Sequence, residues 1–171
     1  SDYINELING YNEQDFPVDV LSVDMDWHTL EEATVGIGHN FTKGWTGFTW
    51  NRKLILDPKA LIKGLLRDSI YTTLNEHPHD GIRPHEECYE AFMRAMGKDP
   101  ATEESLLFDC GDRKYMENYL KYTREENRDL GVAFWWVDWQ QDYLYPMVLG
   151  TMTPTLKWIN KLFYEDTEKD N

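Results

Sequence analysis

The 171-residue chain has little cysteine, a deficit of basic residues and no long apolar run. Two cysteines, Cys88 and Cys110, are too few for a disulfide framework and leave room for one bridge at most. No apolar stretch approaches the length that crosses a bilayer. The first residues lack the basic and apolar regions of a signal peptide and read as a helix start. That leans toward the cytoplasm without assigning a location. Basic residues number 17 against 31 acidic ones, a net charge of −14. Such a surface repels phosphate backbones and anionic lipid, so neither nucleic acid nor a membrane is expected as a partner. A neutral ligand such as a sugar meets no such penalty. Asn40-Phe41-Thr42 fits a glycosylation acceptor, which matters only in a secretory pathway.

A hydrophobic fraction of 41% and an aromatic fraction of 14% are enough for a real core. Residues 1–171 therefore read as one domain. Helical and strand-like patterns alternate along it. Ile4, Leu7, Ile8 and Tyr11 mark one face of a first helix, and "PVDVLSVDMDW" has the length and valine content of a buried strand. Asp57-Pro58 signals a helix start, followed by a stripe of Leu61, Ile62, Leu65 and Leu66. "IYTTLNEHP" is the second strand candidate. The next helix is expected to carry Pro84 in its first turn and Tyr89, Phe92, Met93 and Met96 on one side. Asp112 should cap a helix facing inward through Tyr115, Met116, Tyr119 and Leu120. "GVAFWWVDW" is the third strand, and a last helix starts near Thr153-Pro154 and buries some of Leu156, Ile159, Leu162 and Phe163.

Strands alternating with helices imply an α/β fold with a parallel sheet. Functional groups in such sheets gather at the C-terminal strand ends. The three candidate strands end in Asp24 and Asp26, in His77 and in Asp138. A closed (β/α)8 barrel takes eight strands and typically ~250 residues, whereas about four helices can be found here. The chain is thus either a small open sheet or a slice of a barrel.

Four ordered motifs narrow the choice. "VDVLSVDMDWH", "GWTGFTWN", "LNEHPHDGIRPHEE" and "FWWVDWQQ" resemble the catalytic barrel of the family 31 glycoside hydrolases, the α-glucosidases and α-xylosidases. The resemblance implies a partial (β/α)8 TIM barrel, about strands two to four with their helices. It implies that Asp138 is the catalytic nucleophile and that Asp24 contacts sugar hydroxyls, with Trp136 and Trp139 lining the same subsite. It also implies that the acid/base aspartate lies beyond Asn171, so that this chain alone is expected to be inactive. No organic cofactor or metal is implied. Glu76 departs from an expected apolar residue, Asp142 from an expected glycine, and "LILDP" stands for "LFPDP".

A retaining glycosidase places two carboxyls about 5–5.5 Å apart across the scissile bond. Its nucleophile must stay ionised, which in an aromatic setting requires nearby donors. Asp138 between bulky indoles suits that role; the plainer reading is an aspartate that caps the next turn. Asp24 and Asp26 alternate and would share one side of an extended strand. Such a pair suits a metal, sugar hydroxyls or simply the end of the strand; Asp24 is read as the sugar contact and Asp26 as a support for the loop. His77 either touches the sugar subsite, orients a carboxylate or is structural. His77, His79, Asp80, His85 and Glu86 also raise a second alternative, a metal-dependent hydrolase using the loop from His77 to Glu87, although "HPHDGIRPHEE" matches no standard zinc spacing. Trp45, Phe48 and Trp50 are either a sugar-stacking wall or aromatics folded into the core. A non-catalytic carbohydrate-binding or assembly module is the remaining alternative. Open sheet edges lead to a further expectation, self-association of the incomplete barrel.

Overall fold

The computed structural model describes residues 2–29, 46–78, 81–138 and 146–170. Expectations for Asn40, Trp45, His79, Asp80, Trp139 and Asp142 therefore lie outside the described residues. The elements run α1 (Asp2–Glu13), β1 (Val20–Val23), α2 (Pro58–Arg67), β2 (Tyr71–Glu76), α3 (Tyr89–Met96), α4 (Arg113–Leu130), β3 (Val132–Val137) and α5 (Thr155–Thr167).

Local chemistry sets most of these boundaries. The Asp57 carboxylate accepts the Ala60 amide at 2.9 Å, with Pro58 in the first turn, and so opens α2. Asp112 does the same for α4 by accepting from Lys114 and Tyr115. Gly131, at a φ of +106°, ends α4 in the left-handed region and turns the chain directly into β3. One expected boundary moves. Pro84 is not in the first turn of α3, because the chain from Pro84 to Cys88 stays in turns and α3 begins at Tyr89. The reason is that Glu86 faces inward there and accepts the Phe48 amide and the Thr49 hydroxyl.

The strands form one parallel sheet in the order β1-β2-β3. Val23 pairs with Leu74 and Leu74 with Trp135, so these three share a face. A register shift between Thr72 and Thr73 is taken up opposite Ala133. On the Leu74 side, Trp27, Trp50, Ile62 and Val132 pack with it. Ile4 and Ile8 of α1 join Leu21, Leu65 and Ile70 in a neighbouring cluster. A third cluster joins α3, α4 and α5 through Phe92, Met93, Tyr115, Tyr119, Ile159 and Phe163. The helical stripes are thus core as expected, except that Tyr11, Leu66 and Leu156 are exposed. The opposite sheet face leaves Val20, Tyr71, Phe134 and Trp136 open.

Candidate active site

Asp138 follows the last residue of β3, and its amide still donates to the Glu76 carbonyl at 2.8 Å. Strand pairing therefore continues one residue past β3 and ties Asp138 to the end of β2. His77 follows β2, and its Nε2 stands 3.8 Å from Asp138 Oδ2. That is too long for a hydrogen bond and close enough for a charge pair when the imidazole is protonated. The two side chains differ in access: His77 is 3% exposed and Asp138 40%. A buried imidazole thus backs an open carboxylate.

The register brings the other candidates to the same place. Asn75 pairs with Trp136, and Asp24 continues β1 one residue past the Val23–Leu74 pair. Alternation puts Asp24, Asn75 and Trp136 on the face that carries His77 and Asp138, all at the C-terminal strand ends. Trp136 is 43% exposed, with its ring open to that face.

Two readings change. The strand does not stay extended through Asp26, since Met25–Trp27 form a 3-10 turn. Asp24 caps that turn, its Oδ1 accepting the Met25 amide at 2.7 Å, and Asp26 leaves the strand face. In "GWTGFTWN", Phe48 packs against Tyr119 and Trp50 against Trp27, both buried. Trp50 also donates to the Asn127 side chain at 2.7 Å, which makes it a core residue and not a sugar wall.

Glu76, a residue out of place in the sequence comparison, acquires a physical reason. It points to the helix side of β2, fully buried, and accepts from the Tyr119 hydroxyl and the Arg124 guanidinium. Arg124 is also 3.6 Å from Asp166 of α5, which Arg128 meets at 2.9 Å. The guanidinium lies over the Phe163 ring at 4.2 Å and the Trp135 ring at 5.0 Å. Burial, followed by the neighbouring Glu76 charge, pushes the Tyr119 phenol well above its ordinary range.

Further polar groups are buried near the start of α3 and after the first 3-10 turn. His28 is fully buried, its Nδ1 3.2 Å from the Thr29 carbonyl. Burial lowers its pKa from 6.5, against a smaller upward pull from that carbonyl and from Glu86. Glu86 is buried too, and its Oε1 stands 3.2 Å from His85 Nε2. His28 closes the motif "VDVLSVDMDWH", yet nothing in the sequence marks it as a buried group. Among the described residues no group of three His, Cys, Asp or Glu side chains could hold a metal ion, and we assign none of them as a ligand.

An open parallel α/β sheet with carboxylates and aromatics at its C-terminal strand ends is the arrangement of a segment of a (β/α)8 barrel. The family model for the TIM-barrel domain of glycosyl hydrolases family 31 matches residues 1–158. The chain belongs to this family and forms part of a TIM barrel. Among solved structures it is similar to a GH31 α-xylosidase from a soil metagenome complexed with xylose, at 17% identity and a TM-score of 0.64 over 99% of this chain and 26% of that one. It is also similar to the GH31 α-xylosidase from Xanthomonas citri, at 14% identity and a TM-score of 0.62 over 96% of this chain and 20% of that one. The chain thus spans about a quarter of the first of these structures and a fifth of the second. No curated protein matches it.

Proposed function

We propose that residues 1–171 are the nucleophile-bearing section of a retaining α-glycosidase barrel. In this reading Asp138 attacks the anomeric carbon of a terminal α-linked sugar. The bond to the leaving oxygen breaks, and that oxygen takes a proton from an acid/base residue supplied outside these 171 residues. The same residue then activates water, which cleaves the glycosyl ester and frees Asp138. The observation that carries the reading is the placement of Asp138, open to solvent at the C-terminal end of a parallel strand and backed by buried His77. Trp136 offers a ring face for the sugar, and Asp24 keeps a second carboxylate oxygen for its hydroxyls while the first caps the turn.

The substrate class is a terminal α-linked glucosyl or related residue. Two α-xylosidases among the similar structures make xylosides the first alternative to assay. Taken alone, the chain is expected to show little turnover. Its open sheet face and edges also support self-association.

The test is covalent. In the barrel completed with its acid/base strand, a fluorinated glycosyl fluoride should leave a sugar ester on the peptide containing Asp138, located by mass spectrometry. An ester on any other side chain overturns the assignment.

A further inference from the structure

Glu76 closes β2, and its carbonyl accepts the Asp138 amide at 2.8 Å. Among the described residues this is the last backbone bond of the β2–β3 ladder. On the other side of β2, strand pairing ends at Val23–Leu74, because the Asp24 cap turns the chain. The Asn75 carbonyl, one residue on, accepts the Trp27 indole at 2.7 Å instead. At its C-terminal end β2 thus has one ladder bond left, and that bond goes to Asp138.

The Glu76 side chain holds the same residue from the opposite face. Its carboxylate is fully buried on the helix side of the sheet. One oxygen accepts from the Tyr119 hydroxyl and the other from the Arg124 guanidinium, both of α4. Burial and the Glu76 charge keep the Tyr119 phenol protonated, so it remains a donor. Arg124 is held in turn by Asp166 of α5 at 3.6 Å and by the Phe163 and Trp135 rings. Both oxygens are therefore tied to partners that are themselves fixed.

Stability does not account for this arrangement. An apolar pair of similar volume stabilises a fold as well as a buried ion pair or better, because no charge is desolvated. The apolar residue that the family resemblance leads to at position 76 would fill the same space. It would not set direction. Apolar contact is non-directional, whereas two charge-assisted hydrogen bonds define where a carboxylate, and with it the residue's backbone, must lie.

We propose that Glu76 is a positioning residue for Asp138: its carboxylate, tied to Tyr119 and Arg124, fixes the carbonyl that holds the Asp138 amide at the strand end. This rests on the reading of Asp138 as nucleophile only for its catalytic meaning. A reacting group displaced by about 1 Å loses on the order of 100-fold in rate. Asp138 is 40% exposed, so packing alone does not hold its side chain and the backbone bears more of its aim.

The experiment is amide-resolved hydrogen exchange on the folded 171-residue chain. The variant is the double change Glu76→Leu with Arg124→Met, chosen because an apolar pair preserves stability while removing the directional bonds. The Asp138 amide should exchange about tenfold faster than in the unaltered chain, the size of one net hydrogen bond lost. The amides of Phe134, Trp135 and Trp136 should keep their rates within about twofold, as a local opening requires. Full protection of Asp138 in the double variant, or one common acceleration along β3, overturns the proposal. Should that variant fail to fold, Tyr119→Phe removes one of the two bonds and leaves the buried ion pair in place. The acceleration must again be confined to the end of β3, and a uniform or absent change overturns the assignment. Neither reading needs turnover. A sugar ester found elsewhere than Asp138 would sink the nucleophile assignment and leave the exchange result standing.

Discussion

Two buried polar groups set the character of this molecule more than any exposed one. Glu76 and Arg124 sit inside the contact between β2 and α4, where an isolated charge would cost several kcal/mol. Arg124→Met removes the cation and strands Glu76, with an expected loss of about 3–5 kcal/mol in urea unfolding. The double change Glu76→Leu with Arg124→Met should recover most of that loss, because an apolar pair of similar volume needs no compensation. A double variant as unstable as the single one would contradict this account. His28 makes a separate statement about pH. Its folded-state pKa lies below the ordinary 6.5, so the unfolded chain binds the extra proton in the window between the two values. Its contribution is therefore present above about pH 6.5 and is lost as pH falls toward the lowered value. In His28→Asn the drop in urea midpoint between pH 7.5 and 5.5 should be shallower than in the unaltered chain; an equal or steeper drop would refute the assignment.

At the scale of elements, caps and one glycine decide how helices hand over to strands. Gly131 joins α4 to β3 at a φ of +106°, and a Cβ there would meet Leu66 Cδ1 at 3.0 Å and Ile62 Cγ2 at 3.2 Å. Gly131→Ala should cost about 1–3 kcal/mol from backbone strain, with the crowding of α2 adding to it. Thermal unfolding would show it, and a change within error would mean that the junction relaxes freely. The handover matters for function because β3 runs from Gly131 straight to Asp138. Aspartates at the starts of α2 and α4, the helical stripes and the three apolar strands were legible in the sequence, since caps and periodicity are local. The start of α3 was not, because a contact between Glu86 and the distant Phe48–Thr49 segment outweighs the local preference for a helix beginning at Pro84. The shared side expected of Asp24 and Asp26 on an extended strand fails for a related reason, as the capping bond of Asp24 turns the chain one residue after the strand ends.

For the whole molecule, the sheet has two faces with different fates. One is covered by helices; the other exposes Tyr71 on the central strand and Val20, Phe134 and Trp136 on the two outer strands of the described sheet. Exposed apolar surface next to unpaired strand edges favours association. Light scattering on the 171-residue chain should give a mass above that of one copy at micromolar concentration, and Phe134→Lys should reduce it. A stable monomer throughout that range would dispose of the expectation. The same open face carries Asp24, His77, Trp136 and Asp138, so association and sugar binding are expected to compete.

Residue order alone determined the alternation of helices and parallel strands, the helix caps, and the arrival of Asp24, His77 and Asp138 at strand ends. Those features depend on neighbours a few positions apart, and the linear pattern contains them. Tertiary structure decided that Phe48 and Trp50 are core, that Glu76 meets Arg124, and that Glu86 is buried against Phe48 and Thr49. Each of those outcomes depends on groups far apart in the chain sharing one desolvated space, where a charge must find its partner or stay neutral.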